Sequence, residues 1–163
     1  MKYIIVILFV FSVLFLQIGI FPNLKIFNAY PNIVLLAILS LAILKGWKNC
    51  LGWIIIAGMF LDFYGLYNVV GVSVLALLLT GLFAQFLNQK LFKKENNLSL
   101  GLIFLISSLF YEVLLIIAFK AFGIGFNFAL MGLIIKPIYS SLAALPIFYI
   151  IKWYVDKIKK IQS

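Results

Sequence analysis

Long apolar runs interrupted by short polar breaks organise the chain from Tyr3 onward. Runs of about 20 residues are the length needed for a helix to cross hydrocarbon. The first spans about Tyr3 to Phe21 and stops at Pro22; residues Pro22 to Pro31, rich in asparagine and aromatics, connect it to a second over Asn32 to Leu44. This second run is shorter than a full crossing, which predicts that it borrows loop residues at its ends or is enclosed by neighbouring helices. Lys45 to Cys50 reads as a tight turn into a third helix, Leu51 to Leu66. Tyr67-Asn68 then reverses the chain into a fourth, Val69 to Asn88, with Gly65 and Gly71 on either side, where a reversal or a close helix approach is easiest without a side chain. Lys90 to Leu98 is the most hydrophilic stretch. A fifth helix over Ser99 to Phe119, a Gly-rich turn over Lys120 to Asn127 and a sixth helix over Phe128 to Ile151 complete the pattern, which contains no internal repeat.

Composition sharpens this reading. Of 163 residues, 66% are hydrophobic and 10% charged, and the mean hydropathy is +1.24. A water-soluble fold of this length cannot hide so much apolar surface, because globular chains are about half apolar. The predicted fold class is therefore all-α: a polytopic integral membrane protein with six transmembrane helices, forming a single membrane domain over residues 1–163. Met1-Lys2 and the apolar run to Leu16 resemble a secretory signal, but the run is long and no small-x-small cleavage site follows it, so it reads as an uncleaved first helix.

The formal net charge of +9 comes from 13 lysines, with no arginine, against Asp62, Glu95, Glu112 and Asp156. The lysines are scattered between apolar runs instead of forming a basic patch with polar and aromatic partners, which argues against nucleic acid as a partner. Topology explains them better, since lysines close to span ends stay on the cytoplasmic side. In a six-helix arrangement Lys2, Lys45, Lys48, Lys90, Lys93, Lys94, Lys152, Lys157, Lys159 and Lys160 fall on one side, and only Lys25 and Lys120 on the other. Both termini are thus predicted to be cytoplasmic, with membrane lipids as the main surroundings.

Chemistry is sparse. Without histidine, and with Cys50 as the single cysteine, the chain has no imidazole acid/base catalyst, no internal disulfide and no soft-ligand metal centre. No nucleotide loop, carboxylate pair or activated nucleophile can be assembled, so neither a catalytic role nor a cofactor is expected. What remains is Asp62, Glu112 and Lys136, charges inside predicted spans, each costing about 2.5–3.5 kcal/mol on insertion scales. At about 1.5 Å per residue they lie roughly 16, 20 and 18 Å from the cytoplasmic edge, nearly one depth. One reading is a polar site between helices for a ligand or coupling ion. The other is an internal ion pair that fixes packing, or a lysine snorkelling outward. Lys136 is expected within reach of Glu112 or Asp62, with Glu112 favoured because their helices are consecutive and antiparallel; the surplus acid is then protonated or accepts hydrogen bonds, which for Asp62 includes capping the Gly65 turn. Ser73, Ala76, Thr80 and Ala84, at spacings of three, four and four, form a stripe of small residues suited to close helix packing, within the fold or towards a partner. Most phenylalanines and tyrosines are expected at helix ends or facing lipid, as in aromatic belts.

Gln17 near the end of the first helix, the Pro31-Asn32 start of the second, and the stretch GWIIIAGMFLDFYGLYNVVGVSVLAL from Gly52 to Leu77, with Gly58, Asp62, Gly65 and Gly71, resemble the rod shape-determining protein MreD family. The back third agrees in length, hydropathy and a late proline, Pro146, before the basic tail, whereas Lys136-Pro137 has no counterpart in that pattern. The resemblance implies a non-enzymatic scaffold of the bacterial cell-elongation complex in the inner membrane. Its implied partners are the bitopic protein MreC, the MreB filament, RodA and a class B penicillin-binding protein, and its implied fold is that of the substrate-binding components of energy-coupling-factor transporters. Such a vitamin-uptake component is the alternative function. Those components carry an alanine-rich docking motif on helix one, and Tyr3 to Phe21 contains no alanine.

Overall fold

In the computed structural model, the residues described are 12–13, 15–17, 19, 23, 31–64, 70–90, 96–123 and 130–160. Gly65, most of the first predicted helix and the lysines at 2, 25, 93 and 94 lie outside them. The described residues are helical with no strand: Ser12, Val13, Phe15 to Gln17 and Gly19 are helical, and five further helices follow. These are α1 (Ile33–Lys45), α2 (Trp47–Tyr64), α3 (Val72–Lys90), α4 (Asn97–Ala121) and α5 (Leu130–Lys160).

Helix α1 is the centre. It is apolar on every side, and nine of its 13 residues are buried. A helix with no polar face belongs inside a protein or a membrane, and α1 is enclosed by α2, α3 and α5, with a lighter contact to α4. At about 1.5 Å per residue it measures roughly 20 Å, two thirds of a hydrocarbon core of about 30 Å. Enclosure by neighbours, one of the two outcomes expected for this short run, is the one found. Around it α2 pairs with α3, α3 with α4 and α4 with α5. The core is built from Leu35, Leu36 and Leu39 of α1 with Ile54, Leu77, Phe104 and Phe148 from the surrounding helices.

The predicted turn over Lys45 to Cys50 shrinks to a single residue. Gly46 adopts φ 81°, a left-handed conformation that glycine takes without a Cβ clash, and its amide closes on the Ala42 carbonyl. Trp47 already starts the next helix. The last helix is also longer than expected, running through the basic tail to Lys160 and through both Pro137 and Pro146. Four aromatics depart from the expectation that most face lipid or sit at helix ends: Phe104, Tyr111, Phe119 and Phe148 are buried, and Phe104 meets Phe148 edge to face with centroids 6.1 Å apart. A short central helix leaves volume between its longer neighbours, and large rings on α4 and α5 fill it.

The small-residue stripe is wholly internal. Ser73, Ala76, Thr80 and Ala84 are all buried on α3, with the Thr80 hydroxyl donating to the Ala76 carbonyl within its own helix. The tightest crossing lies one helix away. A Cβ on Gly58 of α2 would fall 2.6 Å from the Val74 Cα of α3, so only glycine allows the two backbones to approach this closely.

Among the described residues, three helices are long and apolar enough to cross a membrane: α3 (Val72–Lys90), α4 (Asn97–Ala121) and α5 over Ile134–Lys157. Their outer faces carry Leu75, Leu79, Phe86, Leu102, Ile117, Ile138 and Leu142, all exposed. An apolar exterior this extensive is stable only in hydrocarbon.

Gly58→Ala is expected to lower the thermal unfolding temperature in detergent, by an overpacking cost of about 1–3 kcal/mol. Gly52→Ala, where nothing lies within 4 Å of the added Cβ, should leave it unchanged, as a parallel melt of both variants will check.

Candidate functional site

The interior polar groups gather where α1 and α3 begin. The first amides of a helix have no carbonyl partner within it, and in hydrocarbon water cannot supply one. Here neighbouring helices do. The Ile33 amide donates to Gln17 Oε1 at 2.7 Å, and the Leu35 amide to Asn32 Oδ1 at 3.0 Å. The Asn32 amide reaches the Ser140 hydroxyl of α5 at 3.3 Å. Gln17 and Ser140 are buried and 123 residues apart in sequence, yet they serve successive amides of one helix start, just after the buried Pro31.

Asp62 does the same for α3. Its Oδ2 accepts from the Gly71 amide at 2.7 Å and its Oδ1 from the Ser73 amide at 2.8 Å, with the residue only 6% exposed. Gly71 sits at φ 101°, which turns its amide into the hairpin, and few residues other than glycine hold that conformation. A carboxylate at a helix start also matches the positive end of the helix dipole. The Gly58–Asp62–Gly71 set is thus a single device: glycine brings α2 and α3 together, aspartate closes the end of the hairpin, and the second glycine presents the amide. Asp62 caps the far side of the turn that Gly65 and Gly71 flank, at Gly71 and Ser73, and Gly65 itself lies outside the described residues.

The two helix starts are joined. Tyr111 of α4, 2% exposed, lies beside the side chains of Ser73 and Asn32, with the carboxylates of Asp62 and Glu112 close by. Gln17, Asn32, Asp62, Ser73, Tyr111 and Ser140 therefore form one buried polar layer drawing on every helix of the bundle. One turn before Tyr111, the Ser107 hydroxyl is fully buried with no hydrogen-bond partner among the described residues.

Lys136 of α5 pairs with Glu112 of α4 at 4.0 Å, as consecutive antiparallel helices of matching depth allow. The three charges that the sequence places inside predicted spans split by role: Asp62 is occupied by two backbone amides, and the lysine goes to Glu112. The pair lies at the edge of the bundle, with the Lys136 side chain 40% exposed and that of Glu112 13%.

A third cap sits at the opposite end. Gln85, near the end of α3, accepts from the Trp47 amide that opens α2 at 2.9 Å. Gln85, Ser140 and Tyr111 were not singled out from the sequence. The available signal was that each is a polar group at an inward helix position, but which amide it meets depends on tertiary placement. No group of three or more metal-binding side chains occurs among the described residues.

Fold and polar layer together define an all-helical membrane protein in which several buried polar side chains, Gln17, Asp62 and Ser140 among them, serve helix starts. Comparison with protein-family models, with curated proteins and with solved structures returns no match to the chain.

Asp62→Ala leaves two amides without acceptors in a buried site, at a cost of about 2–4 kcal/mol. Its unfolding midpoint should fall clearly below that of Asp156→Ala, an acid near the exposed end of α5, when both are measured in the same detergent.

Proposed function

We propose that the chain is a non-enzymatic membrane scaffold of the MreD type, acting in the bacterial cell-elongation complex to regulate cell shape and sidewall peptidoglycan synthesis. In this reading it lies in the bacterial inner membrane and binds MreC, within one complex that includes MreB, RodA and a class B penicillin-binding protein. The observation that carries the reading is the hairpin of α2 and α3. Gly58, Asp62 and Gly71, three of the residues that carry the resemblance, act together as a crossing and a cap. A motif with a purely architectural task fits a protein whose role is to present a shaped surface.

The same reading has six spans with both termini cytoplasmic, and helix placement supports it. Gln85 of α3 caps the start of α2, and Ile151 and Val155 of α5 pack beside Ala37, Leu41 and Leu44 of α1. These contacts gather Lys45, Lys48, Lys90, Lys152 and Lys157 at one end of the bundle, the end that the positive-inside rule assigns to the cytoplasm. Trp153, exposed beside Lys157 at 4.9 Å, suits the membrane boundary there.

Purification in mild detergent from the native bacterium is expected to recover MreC, and depletion should round or widen the cells. A bound vitamin and normal rods with defective vitamin uptake would instead favour the energy-coupling-factor component. Reporter fusions at Ser163 and within residues 93–98 should both report cytoplasm, and an external signal at either would overturn the six-span topology.

A further inference from the structure

We infer that Lys136 holds the phosphate of a membrane phospholipid in the leaflet opposite the lysine-rich end of the bundle. The starting point is an ammonium whose donors meet no hydrogen-bond acceptor among the described residues. Lys136 has three N–H donors, its ion-pair partner Glu112 is 4.0 Å away, and the lysine side chain is 40% exposed. Ile134, Ile138 and Leu142, exposed and apolar, give α5 a lipid-facing outer side, and the partly exposed Lys136 opens at the border between that side and the bundle. An ammonium left facing hydrocarbon is costly, and a lysine escapes that cost by extending its head towards the headgroups.

Depth decides whether it can. Helix α5 is continuous from Leu130 to Lys160, and Lys152 marks the lysine-rich boundary. Lys136 lies 16 residues before Lys152, about 24 Å along the axis at about 1.5 Å per residue, which is deeper than the roughly 18 Å expected from the apolar run because the helix continues unbroken past its predicted end at Ile151. In a hydrocarbon core of about 30 Å this places its Cα roughly 6 Å below the opposite boundary. That gap is within reach of an extended lysine, whereas a residue at the midplane would be stranded. The anionic oxygens at that level belong to lipid phosphates, and a charge-assisted hydrogen bond to one satisfies the donors that Glu112 does not. Glu112, mostly buried on α4, keeps the lysine root in place and limits the net charge, so the phosphate is bound without a second cation. The inference rests on depth and exposure, and it stands whether or not the chain is a cell-elongation scaffold.

The experiment is native mass spectrometry of the whole protein released from nanodiscs of phosphatidylethanolamine and phosphatidylglycerol. The wild-type chain should carry one retained phospholipid per copy. Loss of one charge-assisted hydrogen bond lowers affinity roughly tenfold or more, so Lys136→Met should strip that lipid. Lys136→Met combined with Glu112→Gln removes the orphaned carboxylate and should fold normally while still lacking the lipid; Glu112→Gln alone should retain it. Inorganic phosphate added in excess should not displace it, because the site is reached from hydrocarbon. Equal retention by the wild type and the double variant, absence of any bound lipid on the wild type, displacement by free phosphate, or a polypeptide adduct in place of a lipid would each overturn the assignment.

Discussion

A helix that begins inside hydrocarbon must find acceptors for its first amides within the protein, because no water is present to provide them. The short central helix α1 brings this requirement into the middle of the bundle. Its start at Ile33 lies level with Ser140, ten residues inside α5, so it is surrounded by protein and lipid. Gln17, Asn32 and Ser140 meet the need at α1, Asp62 at α3 and Gln85 at α2. Each of these side chains except Asn32 belongs to a different helix from the one it caps. The caps therefore fix helix positions as well as satisfying amides, which apolar packing against lipid does weakly, since hydrocarbon competes for the same contacts.

This arrangement explains how a chain so poor in polar residues acquires a defined structure. Leucine and isoleucine gain little by choosing each other over lipid tails, so register comes from the few groups that cannot face lipid at all. The Gly58 crossing brings α2 close enough to α3 for Asp62 to reach two amides. Tyr111 ties that cap to the one at Asn32. Loss of one member leaves an unsatisfied group in a low-dielectric interior, where such groups cost most.

Much of the architecture was legible in the sequence, because apolar run length and proline or glycine punctuation act locally. The apolar runs from Asn32 onward correspond to helices, and the enclosure of the short Asn32–Leu44 run is one of the two outcomes its length allowed. The Lys136–Glu112 pair was also readable, since equal depth on consecutive antiparallel helices leaves few alternatives. Other features were not. Gly46 alone replaces a six-residue turn because Gln85, distant in sequence, caps Trp47 at once. The target of Asp62 depended on the backbone at Gly71, and the buried rings of Phe104 and Phe148 depended on space left beside α1, neither of which hydropathy encodes.

The central claim is that the interior polar residues are caps that hold helices, and backbone amide hydrogen exchange read by NMR on the protein in nanodiscs tests it most directly. The amides of Ile33, Gly71 and Ser73 should exchange as slowly as those of the α1 core, and Gln17→Leu should speed Ile33 selectively while Gly71 and Ser73 remain protected. Fast exchange at all three amides in the unaltered protein would show that water or a mobile ligand site, and not the side chains of neighbouring helices, occupies this layer.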